Sequence, residues 1–470
     1  MDRRLKKGII TIFLANIINL FFSLATNFLL PKYLSVESYA GIKTFQLYIS
    51  YVGLLHIGYI DGMYLKYGGR DLGKRLDPEF FETISTMRVF QLAITGIVVI
   101  VGLINKDRLF LLFALSILPQ NMNSFFRYLY QATGEFKLYG RVINITTIST
   151  FVVNMFVLFV LRSDYYLLYV ILYVILYYSI WLALEFLFQR KHEMERGRLF
   201  SGSLLLENIK SGFLLTLGNL ASMLLTSMDR WFIKILMLDV HFAQYSFAVS
   251  CENFLNVAIT PVSTTLYNYF CREHDETNQR NILRYIIVFA TILPSAAFPV
   301  KFILEIFLNK YIESTSVVFL LFGAQMFYII IKSVFVNLYK VERRQKTYFI
   351  KLVIVLVIGF VLNALFYYVL KTKESFAIAT LCSAIIWFFI SKVDFARFSI
   401  TYREYIYIFS CLGCFLFAGV HTKSYVGLPI YLSTDLLLLA ILMPGTMRKL
   451  IGIGIEHFRK LLYRNNGGIQ

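Results

Sequence analysis

KGIITIFLANIINLFFSLATNFLLPKYLSVESYAGIKTFQLYISYVGLLHIGYIDGMYLKY, residues 7–67, is two long apolar segments joined by a short polar link, and the pattern recurs. Shifted by 203 positions, residues 210–270 read the same way: Lys7 meets Lys210, Asn16 meets Asn219, Ala40 meets Ala243 and Tyr64 meets Tyr267. Conservative pairs fill in between, Ser23 with Thr226, Phe28 with Trp231 and Tyr39 with Phe242. A second match follows at a shift of 209, where Phe113, Phe126, Leu129, Tyr130 and Lys137 meet Phe322, Phe335, Leu338, Tyr339 and Lys346. The common order, spacing and hydropathy point to a diverged internal duplication, with a length change in one loop.

Composition sets the solvent. Of the 470 residues 58% are hydrophobic, 17% aromatic and only 16% charged, and the mean hydropathy is +0.65. That leaves too little polar surface for a soluble domain. The apolar residues come in uncharged blocks such as Leu352–Leu370 and Val142–Leu161, of 19 and 20 residues. At a rise of about 1.5 Å per residue, each spans a hydrocarbon core of about 30 Å. No period-2 alternation is present, so the spans are helices rather than barrel strands. The net charge of +18 is not a nucleic-acid surface, because the basic residues punctuate the ends of apolar blocks. The five cysteines suggest no disulfide framework; Cys411 and Cys414 read as small residues packing inside a span, not as a redox or metal pair. The basic start runs into an apolar segment without a small-residue cleavage site and reads as a first transmembrane helix.

The chain divides into about fourteen spans: 9–30, 42–65, 87–104, 109–131, 142–161, 165–188, 211–236, 242–270, 283–305, 316–339, 352–370, 375–391, 405–420 and 425–445. Placing the N-terminus in the cytoplasm puts 32 of the 46 basic residues on that side and nine on the other. The inner set includes Arg3, Arg4, Lys6, Lys7, Arg190, Lys191, Arg343, Arg344, Arg448, Lys449, Arg459, Lys460 and Arg464. The split assigns both termini to the cytoplasm. The expected architecture is all-α and polytopic: an N-terminal six-helix lobe at 1–190, a polar connector at 191–206, a parallel second lobe at 207–395, and two extra helices with a basic tail at 396–470. Parallel repeats place substrate at their interface. The outer links are short, so the work is done within the bilayer or at its surfaces.

The run Pro31–Gly41 after the first helix resembles the link of the Wzx-type polysaccharide-exporter flippases, members of the multidrug/oligosaccharidyl-lipid/polysaccharide (MOP) exporter superfamily. Asp229-Arg230-Trp231-Phe232-Ile233 with His241–Ser246, and Tyr130-Gln131-Ala132-Thr133-Gly134, resemble further links of that family. The resemblance covers residues 1–395, and the extra helix pair brings the count to the fourteen usual for that branch; Ala40 and Gln244 stand where the family more often has glycine. It implies a flippase that carries oligosaccharide repeat units on a polyprenyl diphosphate from the inner to the outer leaflet of the bacterial cytoplasmic membrane. Such units build O-antigen and lipopolysaccharide, capsule or exopolysaccharide. The implied partners are the lipid-linked substrate, the bilayer, a polysaccharide polymerase and chain-length machinery; no nucleic acid, cofactor or metal is implied.

Charges inside spans cost about 2.5–3.5 kcal/mol each on insertion scales, so they mark function or pairing. Arg127 and Lys332 are the candidate cations facing the cavity, with a diphosphate as their anion; Asn123 stands at the position equivalent to Lys332, and Arg230 is a further candidate. His56, Asp61, Asp229 and Glu252 are candidates for ion coupling or structural pairing; on one straight helix His56 and Asp61 stand about 140° apart. The competing readings are a cation-coupled drug antiporter of the same superfamily and a membrane glycan polymerase. The polymerase needs a large outer loop or paired surface carboxylates, and the sequence offers neither. No phosphate loop, metal-ligand cluster or nucleophile constellation is present, so an enzyme is not expected.

Overall fold

In hydrocarbon every backbone N–H and C=O must be paired within its own segment, so apolar blocks of this length can only be helical. The computed structural model is accordingly almost all helix. It describes residues 3–452 except 71, 196, 273, 274, 396, 397 and 399, with side chains from residue 17 onward except that of Asn268. Lys7, Asn16, the N-terminal basic cluster, and Arg459, Lys460 and Arg464 of the tail lie outside the described side chains.

The first set of elements is α1 (Arg3–Tyr33), α2 (Val36–Ser50), α3 (Tyr59–Tyr67), α4 (Pro78–Asn105), α5 (Arg108–Ala132), α6 (Phe136–Met155) and α7 (Tyr166–Lys191). Then come α8 (Gly202–Leu236), α9 (Asp239–Glu252), α10 (Asn256–Arg272), α11 (Glu276–Ile292), α12 (Ala297–Ile306), α13 (Thr315–Ile330), α14 (Val336–Val341), α15 (Gln345–Leu370) and α16 (Glu374–Val393). The hairpin α17 (Tyr402–His421) and α18 (Ser424–Leu442) follows. Among the described residues, eleven helices are long and apolar enough to cross a membrane. They fall on eleven of the fourteen expected spans. The other three expected spans fall on α1 and on two helices that are broken. A 3-10 turn at Val52–His56 separates α2 from α3, and another at Asn253–Leu255 separates α9 from α10. A 3-10 break thus occurs at nearly the same place in both of the matched segments, 7–67 and 210–270.

The chain forms two compact units, one of residues 1–230 with 238–246, the other of 231–237 with 247–470. In the first, α5 is the central element: it packs on α4, α7, α6, α3 and α2, while α1 lies along α6. In the second, α13 holds that place, against α16, α17 and α11. Burial agrees, at 67% of the apolar window of α5 and 89% of that of 309–341, against 22% for α4 and α15. The second sequence match lies on these two central elements, and Phe113, Phe126, Leu129 and Tyr130 are core residues, as are Phe322, Phe335, Leu338 and Tyr339. Outward positions such as Ile104, Val160, Leu187 and Leu437 are apolar and exposed, as a lipid-facing surface demands.

In the first unit α3 and α8 meet backbone to backbone. A Cβ on Gly62 would stand 2.0 Å from the Asn208 carbonyl oxygen, and one on Gly212 would stand 2.0 Å from that of Gly58. Gly58 itself adopts φ +91°, which permits the sharp entry into α3.

The polar connector is docked rather than loose. Arg75–Leu76 and Glu193–Met194 pair as a two-residue parallel bridge, with Arg75 Nε 3.1 Å from Glu193 Oε2. Glu82 accepts from the Arg198 N–H at 3.1 Å, and Thr86 Oγ1 accepts from Ser201 N–H at 3.0 Å. His192 is buried with Nδ1 2.7 Å from the Gly73 carbonyl oxygen, and its Nε2 is buried without a partner. Burial holds its pKa below the usual histidine range, with the Gly73 bond pulling the other way. A group that titrates lower when folded stabilises the fold above its unfolded pKa of about 6.5 and loses that contribution as pH falls through the folded value. Amide exchange across 193–201, corrected for intrinsic rates, is therefore expected to be more protected at about pH 7.5 than at about pH 5. Equal protection at the two pH values would show that His192 does not hold the connector.

The α17–α18 hairpin is fastened along its whole length within the second unit. At one end Arg284 Nε is 2.7 Å from Glu404 Oε1, and Glu404 with Thr401 forms a capping box on α17. In the middle Tyr407 O–H and Cys411 S–H donate to Asp435 Oδ1 at 2.9 and 3.2 Å, and Tyr431 O–H donates to the Thr291 carbonyl at 2.6 Å. At the other end Lys301 Nζ donates to the carbonyls of Gly419, at 2.7 Å, and Thr422, while Glu305 accepts from Ser424. Lys301 stays in the interior of the unit. It is buried as a cap on the carbonyl-rich C-terminus of α17, where the helix dipole favours a cation.

Candidate functional site

Gln120, Asn123 and Arg127 recur at i, i+3 and i+7 on α5 and so share one face. That face carries a polar stripe on a mostly apolar central helix. Gln120 Nε2 donates to Tyr173 Oη at 2.6 Å, and Asn123 Nδ2 to the Tyr177 carbonyl at 3.0 Å. The Tyr173 and Tyr177 rings, four residues apart on α7, lie 4.3 Å centroid to centroid. Arg127 is half-buried beside them: its guanidinium stands 5.5 Å from the Tyr128 ring centroid and acts electrostatically on Tyr139 and Tyr177. Among the described residues no carboxylate lies within ion-pair distance of Arg127. The structure thus joins Asn123 and Arg127 in one polar, tyrosine-lined track of the first unit. Such a track can bind an anion at the guanidinium and present phenol rings and amides to sugar hydroxyls.

The second unit has a track of its own. Gln325, Tyr328 and Lys332 repeat the same i, i+3, i+7 spacing, and Lys332 sits in a π-turn at Ile331–Phe335. Its ammonium stands 5.6 Å from the Tyr328 ring centroid, with Glu252 as electrostatic neighbour. Gln325 Nε2 donates to Glu252 Oε1. The wider turn loosens the backbone ladder, and α10 covers it: Ser263 Oγ donates to the Lys332 carbonyl at 3.0 Å, and Asn337 Nδ2 donates to the Ser263 carbonyl at 2.7 Å. The two tracks differ in charge. Among the described residues Arg127 has no acid partner, whereas Lys332 has Glu252 nearby.

The remaining candidates lie elsewhere. Asp61 Oδ2 accepts from Thr216 Oγ1 at 2.6 Å, within the first unit. Because α2 and α3 are separated by the 3-10 turn and by Ile57 and Gly58 at positive φ, His56 and Asp61 are not on one straight helix, and they interact electrostatically. This corrects the expected separation of the two side chains. His56 Nδ1 accepts from Gly58 N–H at 3.1 Å. On α8, Asp229 is buried, accepting from Tyr245 O–H at 2.6 Å and from Arg230 N–H at 2.7 Å; Arg230 is half-buried with Nε unpartnered. Among the described residues no group of three His, Cys, Asp or Glu side chains is placed to hold a metal.

Gln120, Tyr173, Tyr177 and Gln325 escaped the sequence reading, which weighed charges first. The two glutamines left a signal, amides inside apolar spans at helical spacing from a charge, whereas the tyrosines are brought in by packing of a second helix. Glu185 is buried between Arg88 and Trp181 Nε1, the latter at 2.9 Å.

Neither a protein-family model nor a curated protein sequence matches the chain. Among solved structures it is similar to the lipid II flippase MurJ in an inward closed conformation, with TM-score 0.64 and 15% identity over 94% of this chain and 99% of that one. It also matches a MATE transporter in the straight conformation, with TM-score 0.44 and 12% identity over 84% of this chain and 96% of that one. A MOP-superfamily transporter from Pyrococcus furiosus matches with TM-score 0.47 and 12% identity over 84% and 97%. The chain is a multi-pass, all-α membrane protein with the fold of the solved MurJ flippase over nearly the whole length of both.

Proposed function

We propose that this protein is a flippase that carries polyprenyl-diphosphate-linked oligosaccharide repeat units from the inner to the outer leaflet of a bacterial cytoplasmic membrane, for surface polysaccharide synthesis. The observation that carries the reading is Arg127, a half-buried guanidinium with no acid partner among the described residues, on a stripe of amides and tyrosines inside the membrane. A cation kept in such a place without a counter-ion is costly unless its counter-ion is the cargo. A diphosphate supplies that charge, and the amides and phenols suit the attached sugars. The lipid tail stays in the bilayer, so the protein has only the polar head to carry. The fold supports the reading, because MurJ is a lipid II flippase. A non-enzymatic role agrees with it, as does the Wzx-type pattern of the links.

Glu252 and Asp61 favour a second reading, a cation-coupled antiporter, since half-buried carboxylates in spans can bind a coupling ion. Deleting the gene and measuring polyprenyl-diphosphate-linked repeat units alongside surface glycan separates the two. The flippase reading expects complete units to accumulate while surface glycan is lost. Unchanged glycan with raised drug sensitivity would replace it with the antiporter.

A further inference from the structure

At the end of the second unit that the charge distribution assigns to the cytoplasm, a cleft of about 550 Å³ opens between α11, α17 and the chain just after α18. Three cations line it, Arg284, Arg403 and Lys449, against the single carboxylate of Glu404. Glu404 is already engaged: Oε1 takes the Arg284 Nε at 2.7 Å and Oε2 takes the Thr401 N–H at 2.7 Å. Among the described residues Arg403 makes no ion pair, and Lys449 Nζ meets only a neutral acceptor, Asn281 Oδ1 at 3.0 Å. The first turn of α17 enters the cleft at Thr401–Glu404 and adds the positive end of its dipole. Among the described residues, two cations thus face the cleft without an anion to balance them, beside a helix N-terminus that Glu404 already caps.

The other walls decide what kind of anion fits. Leu442, Met443 and Pro444 give an apolar side, and Tyr402 is exposed at the rim, where an aromatic residue marks the membrane–water boundary. The cleft is of ligand size. It sits where apolar helices give way to polar chain, the depth of lipid phosphates. A free inorganic anion would use the cations and leave the apolar wall wet. A phospholipid headgroup uses both.

We propose that this cleft binds the headgroup of an anionic glycerophospholipid, its phosphate between Arg403 and Lys449 and its glycerol against Leu442–Pro444. The lipid ties the α17–α18 hairpin to α11 beside the Arg284–Glu404 pair. The proposal is independent of the cargo.

The test uses the full chain purified in mild detergent, with thermal unfolding and native mass spectrometry during titration with phosphatidylglycerol, phosphatidylcholine or inorganic phosphate. Phosphatidylglycerol is expected to raise the melting temperature and to be retained, while the other two do neither. The double variant Arg403→Gln/Lys449→Gln, which leaves Arg284–Glu404 intact, is expected to lose phosphatidylglycerol affinity about tenfold or more while melting like the parent without lipid. Wild-type affinity in that variant overturns the proposal. Equal stabilisation by phosphatidylcholine overturns it as general lipid solvation, and equal stabilisation by phosphate overturns it in favour of a soluble-anion site. Should the double variant not fold, Lys449→Gln alone, at an exposed position, is expected to weaken binding several-fold, and unchanged binding overturns the proposal as well.

Discussion

Replacing Arg127 with glutamine is expected to cut transfer of lipid-linked repeat units by one to two orders of magnitude while leaving the thermal melting of the protein close to wild type. The first half follows from charge. A guanidinium facing a diphosphate makes charge-assisted hydrogen bonds worth about 1.5–3 kcal/mol, and each 1.4 kcal/mol is a decade in affinity. The second half follows from the absence of an acid partner: no carboxylate among the described residues is orphaned when the cation goes. Lysine at the same place restores charge but not the planar fork and is expected to recover only part of the activity. The measurement is complementation of a deletion strain at native expression, with surface glycan and accumulated lipid-linked units both quantified. Full complementation by Arg127→Gln would remove Arg127 from the site. Loss of folded protein would make it a structural residue instead.

The second large effect is steric. Gly212→Val is expected to destabilise the protein by at least about 3 kcal/mol, beyond the usual cost of overpacking, because the obstacle is backbone. At Gly212 the added carbon meets the Gly58 carbonyl oxygen at 2.0 Å and the Gly62 nitrogen at 2.4 Å, and neither can swing aside as a flexible side chain would. Gly218, six residues along the same helix, has nothing within 4 Å of its built Cβ. Gly218→Ala is therefore the control, expected to be neutral or to stabilise by up to about 1 kcal/mol through helix propensity. Melting in detergent and monodispersity on gel filtration compare the two. If Gly212→Val melts like its parent, the α3–α8 crossing is not part of the resting fold.

Much of the architecture was legible before any coordinate. Hydrocarbon leaves the backbone one local solution, so block length and charge placement alone picked out the helices, and eleven of the expected spans fall on helical stretches long and apolar enough to cross a membrane. The residues that the second sequence match pairs, such as Phe126 with Phe335 and Tyr130 with Tyr339, are core positions on the two central elements. Arg127, Asn123 and Lys332 stood out because a polar group in an apolar span is conspicuous.

What the sequence by itself determined is therefore what depends on local solvation: helices, their order, and the presence of costly charges at known depths. What only the tertiary structure decided is what depends on which faces meet. Hydropathy is blind to a 3-10 break, since Val52–His56 is as apolar as a straight helix. A charge can be counted from sequence, but whether it meets an acid, as Arg88 meets Glu185, or stands without one among the described residues, as Arg127 does, is set by helices distant in the chain. The docked connector, the buried cap at Lys301 and the cationic cleft at Arg403 and Lys449 are likewise products of long-range packing, where partners lie a hundred or more residues apart along the chain, as His192 and Gly73 do.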